Sequence, residues 1–104
     1  MKFNEGDTVE ITIEGTGPGT YLHYGDEATL TADVTSIPDG DDVAAFVELH
    51  DDLGGLDEGR IDVDEIPGEN DDGEEEMWNA LTMFDSEEGN GPHWAGAIVE
   101  VEEV

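Results

Sequence analysis

The chain has 104 residues, of which 30 are Asp or Glu and only two are Lys or Arg, for a formal net charge of -28, and it has no cysteine. This composition excludes disulfide staples, cysteine nucleophiles and thiolate zinc sites. It also argues against binding to a nucleic-acid backbone, because only Lys2 and Arg60 could release counterions there. One domain, 1-104, with a modest core suits the length, and no apolar run approaches the ~18 residues of a membrane span. With no apolar leader behind Met1-Lys2-Phe3, the expectation is a cytoplasmic monomer.

After Gly6-Asp7, the residues Val9, Ile11 and Ile13 alternate with Glu10, Thr12 and Glu14, which predicts a strand with one buried face. Gly15-Thr16-Gly17-Pro18-Gly19 ends it, and a long loop carries Tyr21 and Tyr24 to the turn Gly25-Asp26. Ala28, Leu30, Ala32 and Val34 form the inner face of a second strand, and Pro38-Asp39-Gly40 turns the chain. A third strand has Val43, Ala45, Val47 and Leu49 on one face and little polarity on the other, so it reads as a central strand hairpinned to the second.

Residues 51-76 are dominated by Asp, Glu and Gly, and only Ile61, Val63 and Ile66 could form a short strand, so a long acidic loop excursion is expected. From Met77 to Phe84 two patterns compete. Met77, Ala80, Leu81 and Phe84 have helical spacing behind Glu74-Glu76, whereas Trp78, Ala80, Thr82 and Phe84 alternate as a strand, which Trp, Thr and Phe favour. A short helix near 74-85 therefore stays open beside the strand. Gly89-Asn90-Gly91-Pro92 reads as a turn, and Trp94 to Val101 as a last strand with Ala97, Val99 and Val101 on one face.

These elements make an all-β chain whose last strand can pair with its first. The phrases Gly6-Asp7-Thr8-Val9-Glu10-Ile11 and Gly25-Asp26-Glu27-Ala28-Thr29-Leu30, followed by Pro38-Asp39-Gly40 and an apolar strand, resemble the opening of SH3-like small barrels of the KOW and tudor type. The resemblance covers about the first fifty residues. It implies a five-stranded barrel that recognises a protein partner through aromatics beside the first loop. An immunoglobulin-like sandwich is the alternative, since those domains also begin strands with Gly-Asp and runs such as Thr29-Leu30-Thr31-Ala32-Asp33-Val34.

Tyr21, Tyr24, Trp78 and Trp94 are accordingly the candidate partner-binding residues, with core filling as the competing role for the two tryptophans. Asp57, Glu58, Asp62, Asp64 and Glu65 could offer hard oxygen ligands to a weakly held Ca²⁺ or Mg²⁺, although an EF-hand loop in this register would need carboxylates where Gly54 and Leu56 stand. His23, His50 and His93 have no metal-ligand spacing. Catalysis finds no foothold: Ser36 and Ser86 sit in no nucleophile motif, Gly15 to Gly19 lacks the ending of a phosphate-binding loop, and nothing singles out a carboxylate pair. The function expected is a non-catalytic protein-interaction module, with cation binding by 51-76 as the alternative.

The composition as a whole resembles that of haloarchaeal cytosolic proteins, rich in Asp and Glu and nearly free of Lys. A folded chain of this mass exposes about 5,700 Å², so net charges lie about 14 Å apart. That exceeds the ~3 Å Debye length of 1 M salt but is close to the ~10 Å of 0.1 M, where neighbours still repel. The expected outcome is a melting temperature that climbs steeply between about 0.1 and 3 M KCl; a flat profile would show that the charge places no demand on the solvent.

Overall fold

The computed structural model describes residues 3-17, 19-69, 72-85, 87 and 89-104, so that Lys2, Pro18 and Ser86 lie outside the described residues. Six strands follow in chain order: β1 (Thr8–Glu14), β2 (Glu27–Ser36), β3 (Val43–Leu53), β4 (Leu56–Glu69), β5 (Glu75–Asp85) and β6 (Asn90–Glu103). Each is antiparallel to the next, and β6 returns to pair with β1, closing one sheet into a barrel. The pairing Ile11↔Leu30 on one side of β1 and Ile11↔Val101 on the other shows the closure at a single residue. No helix occurs among the described residues, and none could therefore cross a membrane.

Five strands and a long loop were the expectation, and the structure has six strands in one sheet. That single sheet is also not the two-sheet sandwich considered as the alternative. The additional strand is β4, which occupies most of the segment 51-76 expected as a loop. Its buried positions are Gly59, Ile61, Asp62 and Ile66, so two of the four carry no apolar side chain and the period of two is hidden. Irregular pairing between Asp62 and Ile66 shifts the phase again; within it Asp64 adopts φ 51° and its backbone N–H donates to Asn79 Oδ1 at 3.0 Å. Asp tolerates that left-handed backbone better than most residues. The Met77 to Phe84 segment is strand throughout, as part of β5.

Val9, Ile11, Ile13, Ala32, Val34, Ala45, Val47 and Leu49 meet Ile61, Leu81 and Met83 in the barrel interior, all at most 5 % exposed. The inner faces expected for β1, β2 and β3 are thus the observed ones except at Val43, which a register shift sets opposite Asp62 on the outer face. In β6 the expectation of one face for Ala97, Val99 and Val101 fails: Ala97 packs with Ile66 and Ala80 outside the barrel, Val101 against its core, and Val99 is 52 % exposed. Thr12 pairs with Glu100 but Ile13 with Ile98, so Val99 is the extra residue of a bulge, and Ile98 and Val101 reach the core in its place. The turn expected at Gly89–Pro92 also falls earlier, because β6 already begins at Asn90.

In β5 the four residues Ala80, Leu81, Thr82 and Met83 are all buried, which means both faces of the strand are covered. Leu81 and Met83 point into the barrel, while Ala80 belongs to a second cluster with Ile66 and Ala97, against which Trp78 and Trp94 pack. Residues directly opposite one another share a face of the sheet, so the pairs Asp62↔Ala80, Arg60↔Thr82 and Thr82↔Trp94 place all of these on the outer surface.

Like charges face each other across β1, in Glu14↔Glu27 and Glu10↔Glu102. A hydrogen bond shared with Glu102, and the repulsion of Glu102 and Glu27, hold the Glu100 carboxyl above the usual carboxylate range. Asp33 is held below it by hydrogen bonds from His50, at 2.9 Å, and Thr8, at 2.8 Å. A carboxyl whose folded value is raised takes up its proton first in the folded chain, so its contribution to stability falls as pH rises and returns on acidification. We expect the melting temperature in molar KCl to rise as pH drops from about 7 towards about 5, and Glu100→Gln to flatten that slope; an unchanged slope would clear Glu100 of the effect. Below the ordinary Asp value of 3.8 the sign reverses, because Asp33 then loses the contacts that its charge makes.

Candidate functional site at the barrel mouth

Strands that alternate in direction bring the β1–β2, β3–β4 and β5–β6 connections to one end of the barrel. There the first loop folds back onto β6: the Tyr21 N–H donates to the Trp94 carbonyl at 2.8 Å and the Leu22 N–H to the Ala95 carbonyl at 3.2 Å. Thr20 fixes the bend, its hydroxyl bonding the carbonyls of Gly17 at 3.0 Å and Leu22 at 2.7 Å. Tyr21 lies across the β3–β4 turn, where Gly54 has φ 62° and a β-carbon would stand 2.9 Å from Tyr21 Cε2. Glycine meets both conditions without strain.

The result is a cleft of about 520 Å³ walled by Tyr21 and Trp94 on the loop side and by Leu53, Leu56 and Met83 on the barrel side, with His93 at its border. Tyr21 is 57 % exposed and Trp94 half-buried. The cleft falls in the size range of small-ligand and side-chain sites. Its apolar walls and backbone edges suit reversible contact with an apolar group.

The four aromatics singled out from the sequence do not form one surface. Tyr21 and Trp94 share the cleft; Tyr24, 83 % exposed, stands outside it. Trp78 lies on the outer face over Gly68, where a β-carbon would come within 2.5 Å of its ring, and its Nε1–H donates to Glu76 Oε1 at 2.8 Å. Leu53 and Leu56 escaped the sequence reading because 51-76 was expected to be a loop. The pattern Leu53-Gly54-Gly55-Leu56 was the available signal, since Gly-Gly between apolar residues favours a two-residue hairpin turn.

The five carboxylates suggested as cation ligands are dispersed. Asp57, Asp64 and Glu65 are exposed, Glu58 is half-buried, and Asp62 is buried with another partner. Arg60 Nε donates to Asp62 Oδ1 at 2.9 Å and Oδ2 at 3.2 Å, and the Thr82 hydroxyl donates to Oδ2 at 2.5 Å. Among the described residues no group of three or more His, Asp or Glu is placed to hold a metal ion. The histidines are likewise apart: His23 in the first loop, His50 beside Asp33, and His93 at the cleft.

Compared with protein-family models, curated proteins and solved structures, the chain matches none of them. The geometry of its own residues therefore carries the functional argument.

The Arg60 and Asp62 pair has a direct test. Asp62 is buried while the Arg60 side chain is 32 % exposed, so removing Arg60 strands a buried charge beside a partly open site, at a cost of up to about 3 kcal/mol. Arg60→Met should lower stability by that order in urea titrations, while Arg60→Met combined with Asp62→Leu should recover much of it; equal losses in both would show that the two side chains act independently.

Proposed function

We propose that this protein is a non-catalytic, salt-adapted interaction module that takes an apolar side chain of a protein partner into the mouth cleft. The observation that carries the reading is the meeting of Tyr21 and Trp94, joined through the backbone, over the apolar floor of Leu53, Leu56 and Met83. Two aromatics at the edge of a cleft provide large contact area with few rotamers to freeze, the usual chemistry of an anchor site. The Asp33, His50 and Thr8 cluster does not have the order of a nucleophilic relay, because Thr8 bonds Asp33 and not the imidazole. The likeness to SH3-like barrels belongs to this reading in two respects: β1 lies between β2 and the last strand, and the long first loop carries the aromatic that borders the cleft. Salt adaptation rests on the charge of -28.

The test is an amide NMR titration in about 2 M KCl with short, end-blocked neutral peptides bearing a single Trp or Leu. Saturable shifts are expected at 19-21, 53-56 and 93-95. Tyr21→Ser should weaken binding about tenfold or more, as loss of an anchor contact does, whereas Tyr24→Ser should leave it unchanged. Equal effects of the two tyrosine variants, or shifts elsewhere, would refute the reading.

A further inference from the structure

Three depressions follow one another across the β3, β4 and β5 surface. The first is the mouth cleft. The second, about 260 Å³, shares Leu56 with it and is walled by Glu48, Asp57, Glu58, Asp85 and Glu87. The third, about 380 Å³, shares Glu48 and Glu58 with the second and is floored by Val47, Phe46 and Phe84. The two phenylalanines meet edge to face with centroids 6.4 Å apart. Shared walls make these depressions one track, apolar at both ends and anionic in the middle.

We infer that this track is a docking groove for an extended, basic peptide segment in which apolar side chains flank one or more Lys or Arg. The inference rests on the mouth-cleft reading and specifies its partner. An apolar side chain enters between Tyr21 and Trp94, the cationic side chain crosses the carboxylates beyond Leu56, and a second apolar or aromatic side chain reaches Phe46 and Phe84. Charge complementarity selects this occupant over a neutral or acidic one: the described residues that wall the middle depression include five carboxylates and neither Lys nor Arg. The stem of Lys or Arg can lie along Leu56 while its head meets the acids. A second copy of this chain is a poor occupant, because its charge of -28 would be brought against the same carboxylates.

Contact ion pairs keep part of their strength in molar salt, since screening removes mainly interactions beyond a Debye length of about 3 Å. The decisive experiment therefore uses about 2 M KCl and three synthetic peptides of about ten residues. One carries Leu-Lys-Arg-Phe at its centre, one Leu-Gln-Gln-Phe, and one Ala-Lys-Arg-Ala. The expected result is saturable binding of the first with shifts along all three depressions, and about tenfold weaker binding of the second and third. Neutralising the shelf by Glu48→Gln, Asp57→Asn and Glu87→Gln together should bring the first peptide down to the level of the second. Equal binding of the first two peptides at the mouth would overturn the basic-segment inference while leaving the cleft reading standing. Absence of saturable shifts at the mouth with any of the three would overturn both. Binding of the Lys-Arg peptides through weak, scattered, unsaturated shifts would reduce the groove to nonspecific attraction and overturn the inference as well.

Discussion

Everything in this molecule depends on the pairing of β1 with β6. It joins strands from opposite ends of the chain and turns a meander of six neighbours into a ring. Without it, Val9, Ile11 and Ile13 would lie on an open edge; with it, they are sealed among the inner residues of five other strands. Closure also aligns the three connections at one end, so that the first loop meets both the β3–β4 turn and the start of β6. The mouth cleft is thus a product of topology as much as of the aromatic side chains that border it.

A second constraint is the scarcity of positive charge. Apolar residues fill the interior, carboxylates crowd the outside, and a buried carboxylate needs a counter-charge or hydrogen-bond donors. Asp62 is the case in point, and Arg60, one of two basic residues in the chain, is committed to it together with the Thr82 hydroxyl. Arg60 sits in register with Phe46 on one side and Thr82 on the other, so the cation stands in the middle of the covered outer face. Elsewhere, as at Glu10 and Glu102 or Glu14 and Glu27, acids face acids across the strand pairing.

The strands were legible wherever alternation was intact. β1, β2 and β3 announced themselves through residues such as Ile11, Ala32 and Val47, and their inner faces are those observed but for Val43 at the irregular start of β3. β4 was hidden because Gly59 and Asp62 hold buried places where the pattern would call for apolar side chains. β6 was found but misphased, since a bulge at Val99 is a property of the pairing between two strands and leaves no mark in one. The same distinction applies to the site. Tyr21 and Trp94 stood out as scarce aromatics, but that they touch one cleft while Trp78 and Tyr24 do not is decided by closure and by the turn at Gly54. The track beyond Leu56 was invisible for a further reason: in so acidic a chain, no individual Glu or Asp is conspicuous.

The far end of the β4–β5 hairpin has a bearing on how copies of the protein behave toward each other. Among the described residues, Ile66, Pro67, Gly68 and Glu69 pair only with Trp78, Met77, Glu76 and Glu75, since the pairing of β3 with β4 ends at Asp62 and that of β5 with β6 at Ala80. A ribbon of this kind offers unpaired backbone to any neighbouring strand, and Met77, 47 % exposed, adds an apolar contact. Its guards are Pro67, which lacks an N–H, and the facing glutamates Glu69 and Glu75. Molar salt weakens the second guard by screening it. Salt that quiets repulsion around the barrel therefore also quiets it at the ribbon, where strand-to-strand polymerisation is then less opposed.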